Sequence, residues 1–216
     1  MHPAGSAIFS SCSRSGLLWA LESLAWNPRW LPRVVLILSK LSTIRINDNW
    51  VNKPENTLEA IFRSWIPQTA AGINERIAAL ELLVRRNPEI GWRICVNQLD
   101  PHATTGHYSY RPRWRNDATG AGHPLRNNEP FLMIAKAFEL AINWPAHSER
   151  TLGDLVDRLH GIPPQKQGAV WAAIKIWANS NPDDLRVGWQ IEIDPCQGTW
   201  LRHRHHPRGR RSPNSG

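Results

Sequence analysis

The stretch that decides the fold is residues 70–99, with the sequence AAGINERIAALELLVRRNPEIGWRICVNQL. Its apolar side chains recur at helical spacing in two runs, which the step Asn87-Pro88 separates. A proline ends the helix before it but suits the first turn of a new helix, for which Asn87 is a good N-cap. The stretch therefore predicts two helices packed as an antiparallel hairpin, the unit from which helical bundles and solenoids are built. The predicted buried positions are Ile73, Ile77, Leu80, Leu83 and Val84 in the first helix, and Ile90, Ile94, Cys95 and Leu99 in the second.

The polar residues of the first of these helices are expected on its outer face. They fall largely away from the apolar stripe on a helical wheel. They are Asn74, Glu75, Arg76, Glu81 and Arg85. The hairpin contains no reactive group, so it predicts a scaffold and says nothing about an activity.

The rest of the chain repeats this pattern of helices separated by prolines. Further helices are expected from Gly16 to Asn27-Pro28, from Leu31 to Leu41, and from an N-cap at Thr57 to Pro67. The second of these is apolar almost all round between residues 34 and 38, which predicts that neighbours enclose it. Later helices are expected to begin at Glu129-Pro130, with Phe131 on its apolar stripe, after a cap at Ser148, and after Pro163-Pro164.

The predicted fold class is all-α, an irregular array of antiparallel helical hairpins with a solenoid-like character. The Asn-Pro steps at residues 27, 87 and 181 have no fixed period, so a regular repeat is not expected. We divide the chain into a loose lead-in (1–15), an α-helical array domain (16–185) and a poorly structured basic tail (186–216). A long loop at about residues 100–128 interrupts the array, and loops of that length are usually functional or disordered.

Composition bounds the class of protein. The 216 residues carry a net charge of +8, but five of these positive charges are tail arginines, because residues 201–216 hold five Arg and no acid. The three cysteines are odd in number and form no CxxC pair, which argues against a disulfide framework and indicates the reducing cytoplasm. The longest apolar run, residues 34–38, is far shorter than the roughly 20 residues that span a bilayer, so no membrane partner is expected.

The most suggestive candidate site lies in the long loop. Arg111, Arg113 and Arg115 alternate along an extended stretch and are interleaved with Tyr110 and Trp114. Guanidinium groups can hold phosphates while aromatic rings stack on bases, which is the chemistry of a nucleic-acid contact. The alternative is structural: the arginines pair with acids of neighbouring helices, and the tryptophan fills a groove.

Other candidate sites have plainer explanations. His203, His205 and His206 are close enough in sequence to chelate a metal, but they belong to the predicted tail. A Cys95 nucleophile with His102 or His107 would need an exposed thiolate, whereas Cys95 lies on an apolar stripe and is expected to be inert. We interpret the acidic pairs Asp154 with Asp157 and Asp183 with Asp184 as solvated charges. No catalytic residue, metal site or cofactor is therefore predicted.

Four short segments carry a resemblance to known proteins: residues 16–26 (GLLWALESLAW), residues 65–69 (WIPQT), the Gly91-Trp92 step and residues 110–115 (YRPRWR). Together they resemble a helical region of very large bacterial proteins associated with STAND-type signal-transducing NTPases and related defence proteins. The resemblance covers roughly residues 16–180. It implies a helical array that senses a partner or holds an assembly together, while a separate P-loop domain binds the nucleotide. This chain has no GxxxxGK[ST] motif, so no nucleotide-binding residue carries over and the chain would be one piece of such a protein.

These observations predict a non-enzymatic helical scaffold or sensor module whose partner is a protein or the remainder of a larger protein. The alternative is a nucleic-acid-binding module that uses the loop arginines and aromatic residues described above. An enzyme with a site in the long loop is a third and more distant hypothesis, because it would need a pocket with perturbed titratable groups.

Overall fold

The all-α prediction is confirmed by a computed structural model, which describes residues 7–44, 53–100, 128–181, 191–193 and 200–202. Eight α-helices form within those ranges and pack against one another in a compact arrangement. They are α1 (Ala7–Ala25), α2 (Leu31–Ser42), α3 (Pro54–Phe62), α4 (Ile73–Arg86), α5 (Pro88–Asn97), α6 (Glu129–Ile142), α7 (Glu149–Asp157) and α8 (Pro164–Ser180). A 3-10 turn, Leu159–Gly161, follows α7.

Prolines and polar caps set the helix starts. Five helices carry a proline in their first two positions, where the missing N–H is not needed. The Asn87 side chain accepts a hydrogen bond from the Ile90 amide (3.5 Å), which confirms it as the N-cap of α5. Ser148 caps α7 in the same way, because its hydroxyl accepts a hydrogen bond from the Thr151 amide (3.3 Å). The Thr151 hydroxyl in turn accepts a hydrogen bond from the Ser148 amide (2.8 Å).

The α4–α5 hairpin forms as predicted and is unusually close. Both helices contribute to one hydrophobic core, with Leu80, Leu83 and Ile94 fully buried. Gly91 permits the close approach, because a Cβ atom at this position would lie 2.7 Å from the Cα atom of Val84. Only a hydrogen atom fits in that space. Glycine is therefore required here by the packing of the two helices and not by a special backbone angle.

The remaining helices assemble around this hairpin. The second helix packs against α1, α3 and α4, while α6 lies on both α4 and α5. The last two helices pack on each other, and α8 also contacts α6. Two short strands, β1 (Ile191–Ile193) and β2 (Trp200–Arg202), pair antiparallel with Glu192 opposite Leu201.

Three predicted boundaries differ from the structure. Helix α1 begins at Ala7, within the predicted loose lead-in, because the residues before Gly16 contain no proline after Pro3 and a helix propagates easily once formed. Helix α3 begins at Pro54, so Thr57 lies inside it and is not its N-cap. The β1–β2 pair lies within residues 186–216, which the sequence had assigned to a poorly structured tail.

Two predicted burial patterns also need correction. Phe131 was placed on the apolar stripe of α6 but is 72% exposed, because the buried row runs through Met133, Ala137 and Ala141 instead. Helix α2 was expected to be enclosed on all sides, yet Ile37 is 44% exposed. Helices α1, α3 and α4 pack on one face of α2, and Ile37 lies on the flank that they leave exposed.

Candidate interaction surface

The predicted arginine and tryptophan site lies outside the described residues. All five of its members fall within residues 101–127: Tyr110, Arg111, Arg113, Trp114 and Arg115. The same holds for the other loop and tail candidates, His102, His107, Asp183, Asp184, His203, His205 and His206. Their roles therefore stay predictions, and the candidate surface must come from other residues.

The open flank of α2 carries a row of large apolar side chains. Trp30, Ile37 and Ile44 follow one another at intervals of seven residues, which places them on one line along a helix. The helical backbone of Trp30 and Thr43 extends this line beyond both ends of α2. Leu41 lies beside the line, and like Trp30 it is partly buried against the core. We call Trp30, Ile37, Leu41 and Ile44 the α2 flank.

The α2 flank is unusual for a protein surface. Its two isoleucines, Ile37 and Ile44, are 44% and 57% exposed, while the opposite face of α2 is buried. Seven large apolar side chains are exposed among the described residues, of which two lie in α1, one lies in α2 and one follows the end of α2. Single exposed apolar side chains are ordinary, and the arrangement of these in a row makes the α2 flank the candidate surface.

A basic edge runs beside this apolar row. It consists of Arg29, Arg33 and Lys40, all exposed and all on the same side of α2. Residues 23–44 contain no acidic side chain. Within the described part of the chain no carboxylate forms an ion pair with these three residues. Among the described residues, therefore, no carboxylate neutralises the positive charge at this edge.

The tryptophan of the α2 flank fixes the geometry of two of these cations. The Cζ atoms of Arg29 and Arg33 lie 5.9 and 5.5 Å from the centroid of the Trp30 ring. Both distances are within the range of cation–π attraction. The turn before α2 helps to orient Arg29, because the Asn27 side chain accepts a hydrogen bond from its amide (2.9 Å). A guanidinium stacked on a ring keeps its N–H edge free for carboxylate or phosphate oxygens.

A second arginine–tryptophan pair lies in the connection between α3 and α4. The Cζ atom of Arg63 is 5.6 Å from the ring centroid of Trp65. This connection is tied to the end of α1 by two hydrogen bonds: the Thr69 hydroxyl donates to the Ala25 carbonyl (2.6 Å), and the Ala70 amide donates to the Trp26 carbonyl (3.1 Å). The connection therefore lies against the α1–α2 turn, at the same end of the molecule as Arg29.

A polar cluster between α5 and α7 stabilises the packing of these two helices. The buried Trp92 donates its indole N–H to the Asp154 carboxylate (2.8 Å), so Asp154 is not the solvated charge that the sequence predicted. Trp144 packs edge-on against Trp92 with centroids 4.9 Å apart, and His147 does so at 6.1 Å. Both ring nitrogens of His147 lie within hydrogen-bond distance of protein oxygens, at Thr151 and Ile142. The hydrogen-bonding groups of this cluster find partners within the protein, and these contacts hold α7 against α5.

Cys95 lies in the hydrophobic core of the folded protein. The thiol is fully buried, and desolvation raises its pKa to about 12. The raised pKa disfavours the thiolate near neutral pH, and the burial of Cys95 confirms the expectation that it lies in the core. Within the described ranges no group of three or more His, Cys, Asp and Glu side chains could hold a metal ion.

A buried ion pair is the feature that sequence reasoning missed. Arg76 was placed on the outer face of α4, but its side chain has no exposed surface, and its Nη2 atom donates to Glu129 at 2.6 Å. Two further nitrogens of the guanidinium, Nε and Nη1, are buried without a hydrogen-bond partner. Burial lowers the pKa of Arg76, and the charge of Glu129 opposes that shift. The spacing of Arg76 to Leu80 and Leu83 was the signal, since these positions share one helical face.

Comparison with known proteins adds no assignment. No protein-family model, no curated protein and no solved structure matches the chain. No helix in the described ranges has both the length and the apolar content needed to cross a bilayer.

Proposed function

We propose that this chain is a non-enzymatic helical scaffold that binds a protein partner through the α2 flank. The observation that carries the proposal is the exposure of Ile37 on α2 and of Ile44 just beyond its end, while the opposite face of α2 is buried. Exposing aliphatic side chains to water is unfavourable by roughly 25 cal/mol for each Å² that a partner would cover. A partner that covers the row recovers this free energy without any rearrangement of the core.

The packing of α2 supports a scaffold role. Leu31, Val35 and Leu38 are fully buried among α1, α3 and α4, so the flank is presented by a helix that is held on its other face. A surface fixed in this way loses little conformational freedom on binding, which favours affinity. The resemblance to helical regions of STAND-type proteins agrees with this role and suggests that the scaffold is a piece of a larger bacterial NTPase-type protein.

We place the protein in the cytoplasm. The support is the odd number of cysteines together with Cys95, a free thiol buried in the core.

The proposal is tested by affinity purification of the tagged chain from cells that express it naturally. Three forms are compared: the natural chain, Ile37→Ser with Ile44→Ser, and the control Ile176→Ser. The control removes an isoleucine that is 68% exposed on α8, away from the flank. We expect a partner protein that the natural chain and the control recover and the flank variant loses. Equal recovery by all three forms, or no enriched protein, would contradict the proposal.

The alternative function is nucleic-acid binding through residues 108–115. Its support is the sequence of that segment, in which Arg111 and Arg113 alternate with aromatic residues, a combination that holds phosphates and stacks on bases in single-strand binders. Anisotropy titrations with labelled DNA and RNA at near-physiological salt test it, on a chain truncated at Asn181. Binding that persists without the tail and falls on Arg111→Ala plus Arg113→Ala would support this alternative. Loss of all binding on truncation would identify the tail as a generic polycation.

A further inference from the structure

We propose that the partner segment that binds the α2 flank is an amphipathic helix whose apolar stripe is edged by carboxylates. This inference rests on the proposed scaffold function and specifies the chemistry of its partner. It follows from two properties of the surface, the spacing of the apolar row and the sign of the charge beside it.

The seven-residue spacing of the apolar row predicts that the partner segment is a helix. Trp30, Ile37 and Ile44 repeat every seven residues, which is the periodicity with which one helix packs along another. Helix α2, which presents the row, has 12 residues and extends over about 18 Å at 1.5 Å per residue, the length of roughly three helical turns in a partner. A partner helix of that length would place apolar side chains between the exposed isoleucines, as knobs into holes.

The positive charge beside the apolar row predicts that the partner helix carries acidic side chains along one edge. Arg33 and Lys40 are separated by seven residues, so the basic edge runs parallel to the apolar row along two turns of α2. With Arg29 they form a one-sided positive strip, and residues 23–44 provide no carboxylate to neutralise it. Glutamate or aspartate side chains on the matching side of the partner helix would complement this strip. The guanidinium of Arg33, already held near the Trp30 ring, is suited to a carboxylate with two oxygens.

The apolar row also argues against a nucleic acid as the occupant of this surface. A nucleic acid would pair its phosphates with the basic edge, but the isoleucine side chains offer neither a flat ring for stacking nor a hydrogen bond to a base. Ile37 and Ile44 would then stay exposed or be covered by a charged backbone. An amphipathic helix satisfies both halves of the surface at once.

The test uses two synthetic helical peptides with the same leucine row. One carries glutamate along one side of the row and the other carries lysine at the same positions. Binding of each labelled peptide to the full chain is measured by fluorescence anisotropy at near-physiological salt. We expect the glutamate peptide to bind at least about tenfold more tightly than the lysine peptide.

Two variants and one control make the result specific. The charge reversal Arg33→Glu with Lys40→Glu is expected to invert the preference, so that the lysine peptide binds more tightly. The flank variant Ile37→Ser with Ile44→Ser is expected to bind the glutamate peptide about tenfold or more weakly than the natural chain does. The control Ile176→Ser is expected to bind it with unchanged affinity. Circular dichroism confirms that each variant keeps its helical content.

The outcomes separate the two proposals. Absence of peptide binding, or a preference that the charge reversal does not invert, would overturn the acidic-helix partner. If the natural partner recovered by affinity purification still depended on Ile37 and Ile44, the scaffold function would survive that result. Tighter binding of a single-stranded oligonucleotide than of the glutamate peptide, lost in the charge-reversal variant, would assign the surface to a nucleic acid instead.

Discussion

Replacing Gly91 by alanine tests the closeness of the α4–α5 hairpin. An alanine Cβ atom would lie 2.7 Å from the Cα atom and 2.9 Å from the Cγ2 atom of Val84. Carbon atoms in favourable contact are about 3.5 to 4.0 Å apart, so the two helices must separate by close to 1 Å. Because the obstacle is backbone and cannot rotate away, we place the penalty at the upper end of overpacking, about 3 kcal/mol.

The net effect must also include the preference of helices for alanine. Alanine in place of glycine within a helix contributes about 1 kcal/mol, which leaves a net destabilisation of about 2 kcal/mol for Gly91→Ala. In a chain of this size that corresponds to a melting temperature lower by roughly 4 to 8 °C. Urea unfolding followed by circular dichroism measures the free energy directly.

Two other helical glycines are matched controls. A Cβ atom at Gly153 in α7 or Gly168 in α8 would meet no atom within 4 Å. Alanine at either position is therefore expected to raise the free energy of unfolding, by up to about 1 kcal/mol. A Gly91→Ala protein as stable as the natural chain would refute the close approach of α4 and α5.

Three further outcomes follow from buried ionisable groups. Burial raises the pKa of Glu22 above its ordinary value of 4.5, although Thr57 donates a hydrogen bond to it. Its contribution to stability is therefore present below that ordinary value and lost as pH rises through the raised pKa. Glu22→Gln should thus unfold at higher urea than the natural chain at about pH 7, and the difference should vanish at about pH 4; equal curves at both pH values would contradict this. Glu129→Gln leaves the Arg76 charge buried without a counter-charge and should lower the free energy of unfolding by about 3 kcal/mol, whereas Arg76→Met should cost less; the reverse order in urea unfolding would disprove the buried pair. Finally, iodoacetamide should modify Cys95 only in denaturant, and mass spectrometry that finds it alkylated in the native protein would show that the thiol is not buried.

The helices and their order could be predicted from sequence, because proline and the apolar period act locally. Pro88, Pro130 and Pro164 each lie in the first turn of a helix that the sequence anticipated. The cap at Ser148 and the N-cap at Asn87 were anticipated for the same reason. Such signals need no knowledge of which helix packs on which.

What the sequence could not supply is which side of each helix meets a neighbour. Arg76 has the residue type of a surface position, yet Glu129 lies 53 positions later and offers a counter-charge within the core. Ile37 and Phe131 have the residue type of buried positions, yet no described element covers them. Each error concerns a contact between distant segments, which local periodicity does not contain.

The same distinction between local sequence signals and contacts of the assembled fold applies to the candidate surface. The α2 flank can be recognised in retrospect from the heptad spacing of Trp30, Ile37 and Ile44, with basic residues on one side. The sequence alone could not assign it, because the same spacing equally describes a helix enclosed on all sides. The exposure of Ile37 and Ile44 decides between these two readings, and exposure is a property of the assembled fold.

The long connection between α5 and α6 begins and ends at anchored residues. Asp100 pairs with Arg158 at 3.1 Å, and Glu129 pairs with Arg76 at 2.6 Å. A cut between the two acids would leave one partner of each ion pair on either fragment, together with the Trp92–Asp154 hydrogen bond that also crosses the break. We therefore expect two separately expressed halves, divided between these two acids, to behave as a split pair that associates through these matched polar contacts.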